Sequence, residues 1–515
     1  MGFDVKCIAS NPMNLQNDAI PEKTERRRRI KETMNHLDVL IIGSGISGIS
    51  MGCHLIKAHP DLRFTILEAR QDIGGTWDLF RYPGIRSDSD MYTFGFNFRP
   101  WTNPQSIAPG PEIKEYLSET VQAFDLRSKI RFGHRVTKLA WFSKKQIWVA
   151  SVETKEGPRE ITARFVVTCT GYYNYASGYR PTLNGVSSFE GLVVHPQHWP
   201  DELDYRGKKI VVIGSGATAV TLVPALAKSA EHVTMLQRSP SYIYSLPAVD
   251  RVATWMKRWL PSRLAYFLIR TRNIFLMWYS YRWAQRYPAQ ARKFLKAQAE
   301  AAVGSGVDVD VHFNPRYDPW DQRVCVIPDD DLFVALRSGR ASVATDTIDR
   351  IEKDRILLTS GAQLDADIIV TATGLELQFL GGARLEIDGR PVAPTELVTY
   401  RGMMAAGIPN WVYVVGYSAA SWTLGADLAS RYVCRLLAHM KTHGYITVRP
   451  PEFDKNQQTE SLMTKLASAG YVMRGGDRLP RQGLETPWRR HDNYLRDYFE
   501  AKWRKIDDGV LEFDS

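Results

Sequence analysis

The 515-residue chain has the composition of an ordinary globular protein, with 44% hydrophobic and 24% charged residues. Its length exceeds what one hydrophobic core usually serves, so we expect two or three domains. The net charge of +10 is modest for this length. No recognised nucleic-acid-binding module appears, so we expect no nucleic-acid partner. Anionic dinucleotides account for part of the basic excess.

Three features of the sequence indicate where in the cell the protein is located. They are the cysteines, the apolar runs and the N-terminal segment. The five cysteines are widely separated and form no C-x-x-C pair, which excludes a zinc-type spacing and a redox-active disulfide motif. Scattered thiols fit a reducing cytoplasm. No apolar run approaches the roughly 18–20 residues needed to cross a bilayer. Residues 1–35 are polar and carry four consecutive arginines, so we predict a disordered N-terminal arm.

A first dinucleotide-binding unit is predicted directly after this arm. A short buried-strand pattern at 37–42 runs into Gly43, Gly45 and Gly48, and a helical segment follows. These glycines permit a tight turn, close approach of a pyrophosphate, and close packing of helix on strand. Glu68 ends the next predicted strand, where its carboxylate can bind a ribose and would repel a 2′-phosphate. The unit therefore favours FAD or NAD over NADP.

Two short motifs follow this unit. The first is Gly74-Gly75-Thr76-Trp77, in which adjacent glycines let the backbone approach a flat ring. Trp77 either packs near such a ring or is a plain core aromatic. The second motif runs from Arg81 to Asp88 with the order R-Y-P-G-x-x-x-D.

The segment 189–200 has no helical or strand period and is a loop by composition. Its order is F-x-G-x-x-x-H-x-x-x-W-P, with Phe189, Gly191, His195, Trp199 and Pro200 at the fixed positions. A pattern with five fixed positions in twelve residues is far more specific than a glycine motif alone. It lies between two predicted nucleotide-binding units.

A second dinucleotide-binding unit begins with the buried strand at 209–213. Its turn carries Gly214, Gly216 and Ala219, and alanine at the third position is compatible with the fingerprint. The acidic residue of the first unit is replaced by Gln237, and Arg238 follows it. Loss of the acid and gain of a guanidinium suit a 2′-phosphate, so this unit favours NADPH. The alternative is that Arg238 is only a solvated surface arginine.

A helical insertion is predicted at about 245–320. Residues 251–300 are rich in basic residues, and their aromatic residues recur at helical spacing. Pro261 interrupts the pattern, which indicates at least two helices. Such helices either pack against the rest of the protein or lie on an anionic lipid surface.

The segment 314–324 and the C-terminal part complete the chain. The first contains Arg323, preceded by Gln322. Residues 367–374 form a strand and turn that we expect to return the chain to the first unit. Trp488 lies in the C-terminal region.

From about residue 34 to the C-terminus, the chain resembles the class B flavoprotein monooxygenases of Baeyer–Villiger type. The twelve-residue pattern at 189–200 is the fingerprint of that family, and the motifs at 74–88 and 314–324 are similar to its flavin-lining and arginine-bearing segments. The segments 74–84 and 319–323 look most like a subgroup of mycobacterial ethionamide-activating monooxygenases. Gln322 departs from the usual lysine of the family, which weakens the NADPH inference.

The resemblance implies an α/β fold with two Rossmann-like dinucleotide-binding domains and a helical insertion. The FAD-binding domain would comprise residues 36–180 and 367–515, and the NADPH-binding domain residues 181–366. Trp488 would correspond loosely to an aromatic residue that closes over the nicotinamide and substrate. The FAD site implied here contains Gly43, Gly45, Gly48, Glu68, Gly75, Thr76, Trp77 and Asp88, and the NADPH site contains Gly214, Gly216, Ala219 and Arg238.

The resemblance also implies the activity. Arg323 would be the catalytic arginine and Asp88 the carboxylate that pairs with it, while His195 would have a conformational role. The alternative is that Arg323 is only a solvated charge in a loop. The reaction would convert a ketone to an ester or lactone with NADPH and O2, through a C4a-peroxyflavin, with sulfide or thioamide oxidation as a side activity. The substrate would be a small ketone or sulfide. The location would be cytoplasmic, with peripheral membrane contact as an alternative.

Two other functions stay open on the sequence. A flavin N- or S-oxygenase needs the same two nucleotides and oxidises a soft nucleophile. A non-catalytic flavoprotein that senses NADPH would keep the nucleotide sites without the chemistry. A disulfide reductase is disfavoured, because no close cysteine pair follows the first unit.

Overall fold

The structure is a computed structural model that describes residues 1, 36–417, 420–454, 456–463, 470–491 and 493–515. The predicted N-terminal arm lies outside the described residues, apart from Met1.

The strands form several sheets, of which two are large. In chain order the first fourteen are β1 (Leu37–Ile42), β2 (Phe64–Leu67), β3 (Ile130–Arg131), β4 (Arg135–Phe142), β5 (Ile147–Thr154), β6 (Gly157–Thr168), β7 (Tyr173–Gly178), β8 (Leu192–Val194), β9 (Lys209–Ile213), β10 (His232–Gln237), β11 (Ile243–Leu246), β12 (Cys325–Pro328), β13 (Ala341–Thr345) and β14 (Ile348–Ile351). The others are β15 (Arg355–Leu358), β16 (Gln363–Asp365), β17 (Ile368–Thr371), β18 (Leu375–Leu377), β19 (Arg384–Ile387), β20 (Arg390–Val392), β21 (Val398–Tyr400), β22 (Met404–Ala405), β23 (Trp411–Tyr413), β24 (Thr447–Arg449), β25 (Thr459–Ser461), β26 (Arg481–Gly483) and β27 (Glu512–Asp514).

The α-helices cover the sheets and build the insertion. In chain order they are α1 (Ile46–Ala58), α2 (Thr76–Leu79), α3 (Met91–Phe94), α4 (Gly110–Ala123), α5 (Ala217–Leu226), α6 (Arg251–Trp259), α7 (Ser262–Arg286), α8 (Pro288–Val303), α9 (Val309–His312), α10 (Asp331–Arg337), α11 (Trp422–His443), α12 (Gly470–Gly475) and α13 (Tyr494–Trp503).

The first large sheet has β1 near its centre. Its order is β20-β19-β4-β5-β6-β1-β2-β3, and β23 also pairs with β6. β1 pairs in parallel with β2 and β6, and the last four residues of β1 are buried. An apolar strand of this kind needs cover on both faces. On one face α1 and α11 supply it, because their buried residues join one core with alternate residues of β1.

The second large sheet is entirely parallel, with the order β13-β10-β9-β17-β8. β9 lies in the middle, and α5 follows it directly. The predicted α/β fold class with two dinucleotide-binding units is therefore confirmed. β17 belongs to this second sheet because it pairs with both β8 and β9, whereas we expected the chain to re-enter the first unit at residue 367. The return begins only after Thr371.

The chain passes between the two units twice, and the two connections lie side by side. β7 leads from the first unit to the second, and β18 leads back. They pair as antiparallel strands, with Leu375 opposite Gly178 and Leu377 opposite Tyr173. Two paired crossings restrict how the units move relative to each other more than a single linker would.

The helical insertion lies between β11 and β12, which pair with each other in parallel. It contains α6, α7, α8 and α9. The predicted break at Pro261 is confirmed, because α6 ends at Trp259 and α7 begins at Ser262. In the described part of the chain, we find no helix whose length and apolar character would let it cross a bilayer.

A buried carboxylate fastens α11 to α1. The side chain of Asp427 is almost fully buried and accepts hydrogen bonds from Nε2 of His54 and from Nε of Arg431, both at 2.8 Å. Burial alone would raise the pKa of Asp427, but the bonds from His54 and Arg431 outweigh it and lower this pKa to about 2. The ionised form is therefore stabilised by the fold.

We predict that Asp427→Asn destabilises the protein at neutral pH. Because the folded-state pKa of about 2 lies below the unfolded value of about 3.9, the stabilisation is complete above pH ~4 and is lost as the pH falls through 2. The corresponding loss at pH 7 is about 2 kcal/mol. Denaturant unfolding of both proteins at pH 7 measures it.

Asp204→Asn is the matched control. Asp204 also has a pKa lowered to about 2, by its hydrogen bonds with Arg206, but it is exposed. Exposed pairs contribute little to stability. Equal destabilisation by the two substitutions would contradict the account of Asp427.

Candidate nucleotide and oxygenation site

Two of the three glycines in the first turn are required by the chain itself. Gly43 has φ +97°, and a Cβ atom there would lie 2.6 Å from the carbonyl oxygen of Cys169. A Cβ atom on Gly48 would lie 1.9 Å from the carbonyl oxygen of Gly43. Neither position can hold a side chain without displacing backbone. These two glycines let β1, α1 and the end of β6 approach closely.

Gly45 is different, because nothing in the chain requires it to be glycine. Its φ is −70°, which any residue adopts, and the nearest atom to an added Cβ would be the Cα of Gly75 at 3.7 Å. Gly45 is the residue before the first turn of α1, where unpaired amides favour an anion. Gly45 therefore leaves open space beside the helix N-terminus, and a dinucleotide pyrophosphate fits it.

Glu68 lies beside this turn at the end of β2. It is buried, and its Oε2 accepts hydrogen bonds from the amide and the hydroxyl of Ser44, at 2.8 and 2.9 Å. Its Oε1 accepts the amide of Arg70 at 2.8 Å. A carboxylate oxygen can accept two hydrogen bonds, so Oε1 has capacity left for a ribose hydroxyl.

The motif Gly75-Thr76-Trp77 packs directly against the first turn. Gly75 has φ +57°, and a Cβ there would lie 3.1 Å from the Cα of Gly45. The hydroxyl groups of Thr76 and Tyr175 lie 3.2 Å apart, which connects this motif to β7. Trp77 is half-buried and packs edge-to-face on a phenylalanine ring in the first core, with centroids 5.7 Å apart. The contacts of Trp77 within the chain are those of a core aromatic.

The glycines of the second turn differ in the same way as those of the first, since backbone contacts require one of them and not the other. Gly214 has φ +141°, and its Cβ would lie 2.3 Å from the carbonyl oxygen of Ala372. Gly216 has an ordinary φ of −83°, and its added Cβ would meet nothing within 4 Å. Ala219, in the position of the third glycine, lies in the first turn of α5 and is fully buried. The exposed Gly216 thus leaves the N-terminus of α5 open, where an anion would be favoured.

Gln237 and Arg238 point to different places at the end of β10. Gln237 is buried, and its amide group donates to the carbonyl oxygen of His312 and to the hydroxyl of Thr345, at 2.8 and 2.9 Å. The side chain of Gln237 therefore stabilises the interior of the second unit. Arg238 is exposed beside the second turn and is available to a phosphate.

Arg474, which sequence reasoning missed, lies on the other side of the second turn. Its guanidinium lies over the ring of Tyr179, 3.7 Å from the centroid. Nη2 would lie 3.4 Å from a Cβ on Gly374, just after β17. Burial lowers the pKa of Arg474, and the like charge of Arg238 contributes to this. Two guanidinium groups thus border the crevice at the carboxyl ends of the parallel strands, where open α/β sheets bind ligands.

The loop that carries Asp88 belongs to the first unit in sequence but docks on the second. Tyr82 is buried in the core of the second unit. Gly84 has φ +79°, and a Cβ there would lie 2.8 Å from the carbonyl oxygen of Thr221 in α5. The guanidinium of Arg86 pairs with the carboxylate of Asp331 in α10 through both Nη atoms. The loop is therefore fixed at three points before it reaches Asp88.

Arg323 and Asp88 meet across the boundary between the units. Nη1 of Arg323 lies 3.2 Å from Oδ2 of Asp88, and about a third of each side chain is accessible. The negative charge of Asp88 raises the pKa of Arg323 above its usual range, against the opposing effect of burial. Arg323 therefore keeps its positive charge over the whole working pH range.

Three phenol groups lie close enough to this guanidinium to influence its pKa. Tyr172 and Tyr173 lie at the start of the crossing strand β7, with their hydroxyl groups 3.0 Å apart, and Tyr471 lies in α12. Burial raises the pKa of all three, so they stay neutral. Sequence reasoning missed these residues, although the pair Tyr172-Tyr173 stands directly after the turn at Gly171.

Asp88 and Arg323 both line a cavity of about 960 Å³ between the loop, β11 and the helical insertion. This volume suits a small organic molecule. Most of the other lining is apolar and includes Ile107, Leu246, Met277, Trp283, Leu295 and Trp320. An ion pair at the wall of an apolar cavity is less screened than one in bulk water.

The residues at the fixed positions of the 189–200 pattern pack mainly within the second unit. Phe189 packs under the second sheet, and a Cβ on Gly191 would lie 2.3 Å from the carbonyl oxygen of Asp367. Trp199 packs against the core of the second unit, while Pro200 is exposed. None of these four side chains lines the cavity described above.

His195 contacts the crossing strand instead. A Cβ on Gly178 would lie 2.0 Å from Cε1 of His195, so the ring lies directly on β7. Nδ1 of His195 accepts the amide of Gln197 at 3.2 Å, and the side chain of Gln197 donates to the carbonyl oxygen of Asn174 at 2.8 Å. Burial lowers the pKa of His195, so the ring is neutral at pH 7. These contacts favour a conformational role.

Comparison with known sequences identifies close relatives over nearly the whole chain. A family model described as pyridine nucleotide-disulphide oxidoreductase matches residues 40–275. The "Probable FAD-binding monooxygenase AlmA" of Acinetobacter baylyi is 50% identical over 481 residues, covering 93% of this chain and 96% of the relative. The FAD-containing monooxygenase EthA of Mycobacterium tuberculosis is also 50% identical over 481 residues, covering 93% and 98%.

Solved structures of similar fold are more distant in sequence. An oxidised steroid monooxygenase bound to NADP has a TM-score of 0.73 at 23% identity, covering 93% of this chain and 100% of that chain. A complex of OTEMO with FAD and NADP has a TM-score of 0.73 at 22% identity, covering 93% and 99%.

We predict that Gly45→Ala and Gly216→Ala fold normally but lose different ligands. The added methyl group has room in the protein, but it takes the space of a pyrophosphate. We expect Gly45→Ala to be purified without flavin, and Gly216→Ala to keep its flavin while its Kd for NADPH rises at least tenfold, roughly the effect of losing 1.4 kcal/mol. Flavin absorbance and NADPH titration measure the two effects.

Gly48→Ala is the control for a structural glycine, and we expect it to give little folded protein. If Gly45→Ala retained a full complement of flavin, the first turn would not be the pyrophosphate site.

Proposed function

The chain belongs to the FAD-containing monooxygenases, and we propose that it oxidises a ketone to an ester or lactone with NADPH and O2. In this reaction the ketone, O2, NADPH and a proton give the ester, water and NADP⁺. The observation that carries the proposal is the Arg323–Asp88 ion pair at the wall of an apolar cavity.

FAD would bind at the first turn and NADPH at the second. Gly45 and Gly216 each leave room for a pyrophosphate at a helix N-terminus. Glu68 beside the first turn suits ribose hydroxyls and would repel a 2′-phosphate, whereas Arg238 beside the second turn attracts one. Arg474 supplies a second positive charge near the second turn, which compensates for the absence of a lysine at position 322.

Bound FAD, reduced by NADPH, would supply the redox chemistry that activates O2. The contribution of the chain is positioning and charge. Arg323 would stabilise the negative charge that develops on the carbonyl oxygen of the ketone when an oxygen nucleophile adds to it. Asp88 holds the guanidinium in place, and the docking of the 82–88 loop on α5 and α10 holds Asp88. The phenols of Tyr172 and Tyr173 are neutral, so they add no further charge near the guanidinium.

A flavin N- or S-oxygenase is the main alternative. A soft nucleophile needs no stabilised carbonyl oxyanion, so the placement of Arg323 at the cavity wall favours the ketone. A sulfide or thioamide would still fit the apolar cavity as a side substrate. Intact Asp88 and Arg323 also favour an enzyme over a non-catalytic NADPH sensor. Product analysis with a ketone, an amine and a sulfide separates these three possibilities.

We predict that Arg323→Ala abolishes ester formation without loss of the cofactors. Removal of the charge that stabilises an oxyanion typically costs about 10²–10³ in rate. Flavin content and the Kd for NADPH should stay near those of the unmodified protein, because Gly45 and Gly216, beside which the two pyrophosphates would bind, are unchanged. Gas chromatography of the ester and flavin absorbance provide the two readouts.

Arg206→Ala is the control, since this arginine is exposed and pairs with Asp204. We expect it to leave ester formation unchanged. Normal ester yield from Arg323→Ala would reject the role of Arg323 and with it the proposed reaction.

A further inference from the structure

Two apolar stripes on the helical insertion face solvent. On α6, Val252, Trp255 and Trp259 are exposed, and their spacing places them on one side of the helix. On α7, Leu264, Phe267, Phe275 and Tyr279 are exposed at spacings of three, four and eight residues. The side chains of Trp255, Trp259 and Phe267 are 59%, 66% and 62% exposed. Aromatic side chains this exposed on neighbouring helices mark an interaction surface.

The outward position of these side chains does not come from loose packing of α7. The opposite side of the helix is buried and fastened to the first unit. The hydroxyl of Tyr266 donates to the carbonyl oxygen of Phe96 at 3.1 Å, and Nη1 of Arg270 donates to the carbonyl oxygen of Tyr92 at 2.6 Å. The sequence left two alternatives open for these helices, namely packing against the rest of the protein and contact with an anionic lipid surface. Packing accounts for only one side of α7.

The charge of residues 251–299 indicates which kind of partner binds the exposed apolar residues of α6 and α7. Residues 251–299 contain eleven lysine and arginine residues and no aspartate or glutamate. The segment therefore carries +11, against +10 for the whole chain. Arg272, Arg292 and Lys296 pair with acidic residues outside the segment. Arg251, Arg258, Arg263, Arg282 and Arg286 are exposed beside the apolar residues. A second copy of the chain would bring the same positive charge, which disfavours self-association through this surface.

We propose that the α6–α7 surface, made of these exposed apolar residues and the arginines beside them, docks on an anionic lipid bilayer. Tryptophan, phenylalanine and leucine side chains enter the interface between headgroups and acyl chains, while the arginines pair with anionic headgroups. The helices lie in the plane of the surface and do not cross it.

The surface and the cavity share part of α7. Leu276 and Tyr279 are exposed, and both also line the cavity that contains Asp88 and Arg323. Docking of this surface therefore places one wall of the cavity against the lipid. A lipophilic molecule dissolved in the bilayer would reach the cavity by a short path.

Flotation of the purified protein with vesicles tests the docking. One set of vesicles contains equal parts of phosphatidylcholine and phosphatidylglycerol, and the other contains phosphatidylcholine alone. We expect the protein to float with the anionic vesicles, with at least a tenfold smaller bound fraction on the neutral vesicles. Because the arginines contribute electrostatically, high salt should reduce binding to the anionic vesicles.

The variants separate the apolar and basic contributions. Trp259→Ser/Phe267→Ser should reduce the fraction bound to anionic vesicles at least tenfold, and Arg258→Gln/Arg263→Gln should weaken binding and flatten its salt dependence. None of these four residues lines the cavity, so flavin content and NADPH oxidation without vesicles should not change. Phe142→Ser, at an exposed phenylalanine on the first sheet, is the matched control and should bind normally.

Three results would overturn the proposal. The first is absence of binding to the anionic vesicles. The second is equal binding by the wild type and the Trp259→Ser/Phe267→Ser variant. The third is a wild-type dimer that this variant splits, measured by light scattering without lipid, because the surface would then be an interface between two copies.

Discussion

The candidate site depends on one ion pair, between Arg323 and Asp88, whose partners come from different parts of the chain. Asp88 follows the first nucleotide turn, whereas Arg323 follows the helical insertion of the second unit. Their 3.2 Å contact exists because the 82–88 loop leaves its own unit and packs on α5 and α10. Gly84 and the Arg86–Asp331 pair therefore matter to the site as much as the residues that face the cavity.

Local patterns predicted much of the fold and of the nucleotide sites. The strand, turn and helix at 37–58 and at 209–226 follow from apolar runs and glycine spacing, and the break at Pro261 follows from the chemistry of proline. The sequence also identified Arg323 and Asp88, though only by resemblance to a family. The structure adds the physical distinction that Gly43, Gly48 and Gly214 serve the backbone, while Gly45 and Gly216 leave room for a ligand.

Long-range contacts explain why the rest could not be predicted. The residues of β17 predict a short apolar strand, and such a strand fits either sheet. Its pairing with β8 and β9 therefore could not be predicted from residues 368–371. Arg474 and Tyr471 lie in a segment without a strong periodic pattern, and only the folded chain brings them to Tyr179 and Arg323. The outward stripes of α6 and α7 could equally have been buried, because aromatic periodicity predicts a helical face but not what covers it.

The most direct test of the central claim is oxidation of a linear ketone under ¹⁸O2 with NADPH, followed by mass analysis of the product. The account predicts an ester that carries one ¹⁸O atom, formed with one NADPH consumed per ester. Recovery of the unchanged ketone while NADPH is consumed to hydrogen peroxide, or an ester without label, would contradict it.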